Sequence, residues 1–291
     1  MMEEQQKVPY VVSGKSKVAV AINAASKTGE WIKSKLGDYK QLNTKVSSQD
    51  LVTEVDKGAE QMIRKLILTY CPDDEFLGEE SVGAGAAASA QAIDAVKDSE
   101  YVWIVDPIDG TTNFVHGFPY FCVSIALAHK GEVIIGVIYD PSHDELFVAE
   151  KGKGAYVHGN LMKVSQEATL GESLVATGFP ADRGESLRLN MSGLNAIVPK
   201  VRSIRNGGSA ALHLAYVAAG RLSAYWEIGL NAWDLAAGSL LVTESGGQIG
   251  DISGADYHLA VRNVLATNGH IHQELMTELH DAGLQDIPAH K

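Results

Sequence analysis

Residues 121–157 read as one strand after another with only turns between them. FCVSIALAH, EVIIGVIYD and ELFVAE are apolar or alternating runs, separated by Lys130-Gly131 and by Pro141 to Asp144, and KGKGAYV follows directly. Turns this short cannot hold a crossover, so successive strands must pair antiparallel. The spacing predicts an antiparallel meander and argues against a uniform βαβ series.

Helical and strand patterns alternate on either side. Val18, Ile22, Ala25 and Ile32 predict a helix over 11–36. Val55, Ala59, Met62, Ile63, Leu66 and Ile67 follow the three-and-four spacing of a second, stopped near Pro72. EFLGEES (75–81) reads as a short strand running into two glutamates. The VGAGAAASA stretch after it reads as a surface loop or a helix start, without chemistry of its own. Beyond the meander, strands are expected at SLVATG, VRSIR, SAYWEI, GQIGDI and NVLATN, and helices near 185–197, over 209–219, over 234–244 and from about His270. A long antiparallel stretch among mixed elements is the α+β class, in stacked sheets and helices.

The 291 residues suffice for one large domain or two subdomains, and 45% hydrophobic with 21% charged residues describes a globular chain. The 36 acidic and 24 basic residues leave a net charge of −12, which argues against a nucleic-acid partner. An anionic ligand must therefore be met by cations in its site. Cys71 and Cys122 sit in unlike contexts, against a disulfide framework and for a reducing, cytoplasmic setting. MMEEQQKVPY lacks the apolar core of a signal peptide, and no apolar run nears the ~20 residues that span a bilayer, so no membrane contact is expected.

The stretch WIVDPIDGTTNFVHGFP (103–119) carries the chemistry. Val102 to Val105 reads as a buried strand, with Asp106 and Asp109 close together on a tight turn at its end. Two such carboxylates raise each other's pKa unless something positive joins them. Asp56 in the first turn of the second helix, Glu79 and Glu80 after a strand, and Asp234 at a helix start can project into the same cleft. Singly, Asp56 and Asp234 also fit ordinary helix-start acids, and Glu79-Glu80 a solvated loop pair. Oxygen ligands without a His or Cys cluster suit Mg²⁺ rather than Zn²⁺. His116, His129, His143 and His213 lack ligand spacing and read as surface or core residues. Gly110-Thr111-Thr112 and Gly207-Gly208-Ser209 each read as a turn opening a helix, where backbone N–H groups suit a phosphate oxygen. Together these point to phosphate-ester chemistry.

WIVDPIDGTTNFVHGFP resembles the Asp-Pro-Ile-Asp-Gly-Thr signature of the inositol monophosphatases, within the Mg²⁺-dependent, lithium-sensitive sugar-phosphatase superfamily. DLVTEVD (50–56), GEES (78–81) and WDLAAGSLLVTESGG (233–247) look like its other blocks, in the same order. The resemblance implies a layered αβαβα sandwich of the sugar-phosphatase type, usually a homodimer. Residues 1–14 would be an N-terminal extension and 15–284 the catalytic domain, divisible at about 15–160 and 161–284. By position, Glu79, Asp106 and the Ile108 carbonyl would hold a first Mg²⁺, and Asp106, Asp109 and Asp234 a second, with Glu79 beside a third. That makes two or three ions per subunit. Thr111, bonded to Asp56, would orient and activate metal-bound water, so Thr111, Asp56 and Glu79 are the implied catalytic residues. Gly110 and Thr111 N–H groups would hold the phosphate, with Asp109, Gly208, Ser209, Ala210, Glu227 and Asp234 completing the substrate site. Lys45 matches a family lysine near the entrance, while AGAAASAQ (84–91) replaces a more polar stretch.

The implied activity is hydrolysis of inositol monophosphate to myo-inositol and phosphate, in inositol metabolism and phosphatidylinositol signalling. TTNFVHGFPYFCVSIAL and WEIGLNAWD look like the inositol branch. Fructose bisphosphate, histidinol phosphate, galactose 1-phosphate and adenosine 3′,5′-bisphosphate are the alternative substrates. A covalent aspartyl-phosphate enzyme would carry Asp-x-Asp instead of Asp-Pro-Ile-Asp. A non-catalytic sugar-phosphate-binding protein would have no need of Thr111.

Overall fold

The computed structural model of the chain describes residues 16–37, 42–44, 51–180 and 184–286. α1 (Lys17–Lys33) starts where the Ser16 hydroxyl accepts the Ala19 N–H. It is followed by β1 (Leu42–Thr44), β2 (Leu51–Thr53), α2 (Glu54–Tyr70), β3 (Glu75–Gly78), α3 (Ala86–Val96), β4 (Tyr101–Asp109) and the short α4 (Thr111–His116). The meander runs β5 (Cys122–His129), β6 (Glu132–Asp140), β7 (Glu145–Glu150), β8 (Gly154–Val157) and β9 (Asn160–Leu161). The remainder supplies β10 (Leu174–Thr177), α5 (Glu185–Ile197), β11 (Ser203–Arg205), α6 (Ala210–Ala218), β12 (Ala224–Glu227), α7 (Ala232–Glu244), β13 (Gln248–Asp251), β14 (Val264–Thr267) and α8 (His272–Asp281).

β3 to β9 form one sheet in chain order, antiparallel except for the parallel β3–β4 pair. The second sheet has the order β11-β10-β12-β14-β13, with β10 parallel to both neighbours and the β12-β14-β13 part antiparallel. β1 and β2 pair as a separate hairpin.

The central strands are apolar on both faces because both faces are covered. Along β5, Val123, Ile125 and Leu127 join the core under α1 and α2, while Cys122, Ala126 and Ala128 join the core under α6 and α7. β12 divides the same way: Tyr225 faces the α6–α7 core, and Ala224 and Trp226 face a third core with α5 and α8. The period-two alternation of side chains thus feeds three cores. The layers are α1/α2, sheet, α6/α7, sheet, α5/α8, which is the αβαβα sandwich. α7, between two sheets, is correspondingly apolar all round: Ala232, Trp233 and Leu235 through Val242 are buried. Each such large side chain contributes about 1.5–3 kcal/mol on burial.

The meander and the flanking elements stand where the patterns place them. The described part of the first helix starts at Lys17, and residues 11–15 lie outside the described residues, as do the 1–14 extension, Lys45 and Asp50. The alanine-rich stretch resolves into the start of α3, and the β1–β2 hairpin is an addition. α7 begins at Ala232, two residues ahead of Asp234, because Asn231 takes the N-cap position. Cys71 and Cys122 are free and buried, and among the described residues no helix is long and apolar enough to cross a membrane.

Candidate active site

β4 does not end at Asp106; it continues through a bulge to Asp109. Asp106 pairs with Ser124 and Asp109 with Cys122, so three residues of β4 are matched by two of β5. Pro107, without an N–H for the ladder, sits in the extra stretch. Residues three apart on a regular strand face opposite ways, and the extra residue reverses that parity. Asp106 and Asp109 therefore face the α7 side together, the side on which the Ser124 hydroxyl donates to the Trp233 carbonyl.

The next residue, Gly110, turns the chain into α4 at φ 97°, a backbone that side-chain-bearing residues rarely adopt. Thr111 follows, its hydroxyl 2.9 Å from Asp56 Oδ1 and 3.0 Å from the Ile108 carbonyl oxygen. Asp56 is held in turn by a capping box at the start of α2: its Oδ2 accepts the Thr53 N–H at 2.8 Å and the Thr53 hydroxyl at 2.6 Å. Asn113 ties the turn to the second glycine segment, donating to the carbonyls of Tyr120 at 2.6 Å and Gly207 at 2.7 Å.

The start of α6 does hold an anion, and that anion is Asp109. Its Oδ2 accepts the Ser209 hydroxyl and the Ala211 N–H, each at 2.6 Å. Ser209 is the N-cap, Gly208 precedes it, and Ala210 is buried in the first turn. Asp234 lies in the first turn of α7, accepting the Asn231 N–H at 2.7 Å. Glu227 ends β12 and accepts the Tyr225 hydroxyl. Glu79 begins a single 3₁₀ turn (Glu79–Ser81) directly after β3, next to β4 in the sheet. Ile108 N–H donates to Asp106 Oδ1 at 2.9 Å, which folds the bulge back on its own carboxylate.

These acids repel one another. Burial, then the charges of Glu79, Asp109 and Asp234, push the Asp106 carboxyl well above the ordinary range. Burial and the charges of Glu79, Asp109 and Glu227 do the same to Asp234. Asp109 is raised by burial against the pull of Ser209 and Ala211, and Asp56 by burial against the pull of Thr53. Burial lifts Glu227 to about 7. Asp106 shares a hydrogen bond with the Glu79 carboxyl, and the other hydrogen bonds to Asp106, Asp109 and Asp234 among the described residues come from backbone N–H groups, the Ser209 hydroxyl and the Cys122 thiol, with no Lys or Arg among the donors. Arg262 feels the charge of Asp234 but gives its hydrogen bonds to Asn231 and the Gly229 carbonyl. Hard, buried, collectively negative oxygens with so little basic compensation suit a hard divalent cation. No three acidic, histidine or cysteine side chains among the described residues already close around one point as a complete shell.

The motif residues thus gather at the facing ends of β4, α2, α6, α7 and β12. Thr53, Asn113, Tyr225 and Glu60 escape the reading of the sequence; Asn113 and Glu60 act on backbone groups or on partners distant in the chain, whereas Thr53 and Tyr225 bond acids two or three residues away. Thr53 stands at capping-box spacing from Asp56, and Glu60 stands four residues after Asp56 and so on the same face of α2.

Residues 15–284 match the model of the inositol monophosphatase family. The chain is 42% identical to Inositol monophosphatase 2 of Solanum lycopersicum, over 91% of this chain and 98% of that one. It superimposes on extragenic suppressor protein suhB from Bartonella henselae with a TM-score of 0.81 and 38% identity, covering 90% of this chain and 97% of the other. SaIMPase-II solved with inositol monophosphate bound is also similar, at 30% identity and a TM-score of 0.72 over 91% and 96% of the two chains, and the same protein has been solved with 2′AMP. The carboxylate-lined bulge, the layered fold and these likenesses agree: the chain belongs to the inositol monophosphatase family and is a phosphoric monoester hydrolase.

Proposed function

We propose that the protein hydrolyses inositol monophosphate to myo-inositol and phosphate, with Mg²⁺ held by Glu79, Asp106, the Ile108 carbonyl, Asp109 and Asp234. The observation that carries this is the bulge in β4, which sets Asp106 and Asp109 on one face, within the field of Glu79 and Asp234 and next to the Thr111–Asp56 pair. Two or three Mg²⁺ ions per subunit, held by these residues, would supply the charge that draws in the phosphate and eases deprotonation of water.

The chain's own residues do the rest. The Thr111 hydroxyl has one proton; donated to Asp56, it leaves the oxygen lone pairs to accept a hydrogen bond from the attacking water and fix its direction. Gly110 and Thr111 N–H groups receive the phosphate oxygens, at the left-handed turn where the backbone approaches closely. Gly208, Ser209 and Ala210 border the same space, and the Glu227 carboxylate accepts hydrogen bonds from ring hydroxyls. SaIMPase-II with inositol monophosphate supports this substrate, and its 2′AMP complex supports an adenosine phosphate as the second reading. We further propose a lithium-sensitive cytoplasmic homodimer whose subdomains are about 15–160, built on the seven-stranded sheet with the β1–β2 pair, and 161–284, built on the five-stranded sheet.

Phosphate release with Mg²⁺ present, measured on inositol 1-phosphate, fructose bisphosphate, histidinol phosphate, galactose 1-phosphate and adenosine 3′,5′-bisphosphate, tests the substrate. The highest kcat/KM is expected for inositol 1-phosphate. A higher value for another ester replaces it, and no turnover of any favours a binding protein.

A further inference from the structure

Glu60 lies one helical turn beyond Asp56 on α2 and is 6% exposed. A buried carboxylate is costly unless its oxygens are satisfied. Those of Glu60 go to the turn that contains Glu79: Oε2 accepts the Glu80 N–H at 2.7 Å, and Oε1 accepts the Ser81 hydroxyl. On the other side of Glu79, Gly78 presses so closely on the same carboxylate that a Cβ there would collide with Oε2. Glu60 thus touches the chain immediately before and immediately after Glu79.

We infer that Glu60 is a positioning residue for the metal-holding carboxylate of Glu79, an assignment resting on the reading of Glu79 as a Mg²⁺ ligand. α2 is rigid and carries two anchors at i and i+4: Asp56 holds Thr111, and Glu60 holds the Glu79 turn. The residue that orients the attacking water and the residue that holds the cation are therefore set by one helix face. Hydrogen-bonding groups behind a ligand typically govern metal affinity about 10–100-fold.

The acceptor pattern distinguishes this role from simple packing. In E60Q the amide oxygen can accept the Glu80 N–H while the amide nitrogen donates to the Ser81 hydroxyl, which reverses its own bond, so both contacts survive. In E60M the shape is kept and both contacts are lost. S81A removes one contact at an exposed position. Mn²⁺ binding, followed by electron paramagnetic resonance on the purified full chain without substrate, is the readout, with thermal unfolding alongside.

E60M is expected to bind Mn²⁺ about 10–100-fold more weakly. S81A is expected to bind about 2- to 10-fold more weakly at an unchanged Tm, and E60Q close to wild type. Wild-type affinity in folded E60M, or in S81A where E60M does not fold, overturns the assignment. So does E60Q as weak as E60M. A wild-type protein that binds no Mn²⁺ overturns instead the metal reading on which the assignment rests.

Discussion

The Thr111 hydroxyl and the Asp56 carboxylate, 55 residues apart in sequence, lie 2.9 Å apart. Asp56 reaches that position because its second oxygen is locked by Thr53 at the start of α2, and Thr111 because Gly110 turns the end of β4 into α4. The pair joins the first helix pair to the acidic bulge. Its orientation depends on two short-range devices, a capping box and a left-handed glycine.

Thr111→Val keeps the shape and removes the hydroxyl. A fall in kcat of roughly 10²–10⁴, the usual range for groups that handle a proton in the reaction, is expected with little change in Tm. Steady-state kinetics beside thermal unfolding decide it; a loss confined to stability would make the residue structural.

Glu227 is expected to read the sugar. Glu227→Gln should raise KM for inositol 1-phosphate by roughly 10–100-fold, the value of a hydrogen bond to a charged group, and leave 4-nitrophenyl phosphate nearly unaffected. Gly178→Ala should reproduce that selective loss, because a Cβ at Gly178 would run into the Glu227 carboxylate. Equal losses on both esters contradict the assignment.

His213 supplies a pH dependence of stability. Its Nε2 accepts the Gly207 N–H at 3.0 Å, so the neutral ring carries its proton on Nδ1, which is buried with no hydrogen-bond partner among the described residues. Burial lowers its pKa from 6.5 to about 3. The unfolded chain therefore takes up this proton first, and stability present above pH 6.5 is lost as the pH falls toward 3. At pH 5 the loss is about 2 kcal/mol. The raised carboxylates shift stability the opposite way but are common to both proteins, so in urea unfolding at pH 7 and pH 5 the wild type should fare about 2 kcal/mol worse on acidification than His213→Gln; an equal change in both removes His213 from the cause.

The meander was legible because turns of a few residues force antiparallel pairing, and the gathering of acids around Asp106 and Asp109 because no apolar strand runs into two aspartates without cause. The bulge was not legible. Pro107 marks a break in the ladder, but the reversal of parity that puts Asp106 and Asp109 on one face is a property of β4 paired with β5. The anion at the start of α6 was expected to be a phosphate and is the Asp109 carboxylate, a contact across 102 residues that no local pattern encodes. Glu60 was hidden for the same reason: its partners are in a turn twenty residues on, brought to it only by the packed layers.

The most direct test of the carboxylate site is phosphate release from inositol 1-phosphate after removal of divalent ions with EDTA and stepwise return of Mg²⁺, in the wild type and in Asp106→Asn. The wild type is expected to fall to background with EDTA and recover with Mg²⁺. Asp106→Asn is expected to stay folded and inactive at every Mg²⁺ concentration, since it lacks the ligand assigned to two ions. Full wild-type turnover in EDTA, or near-wild-type turnover in Asp106→Asn, would contradict a cation held at the β4 bulge.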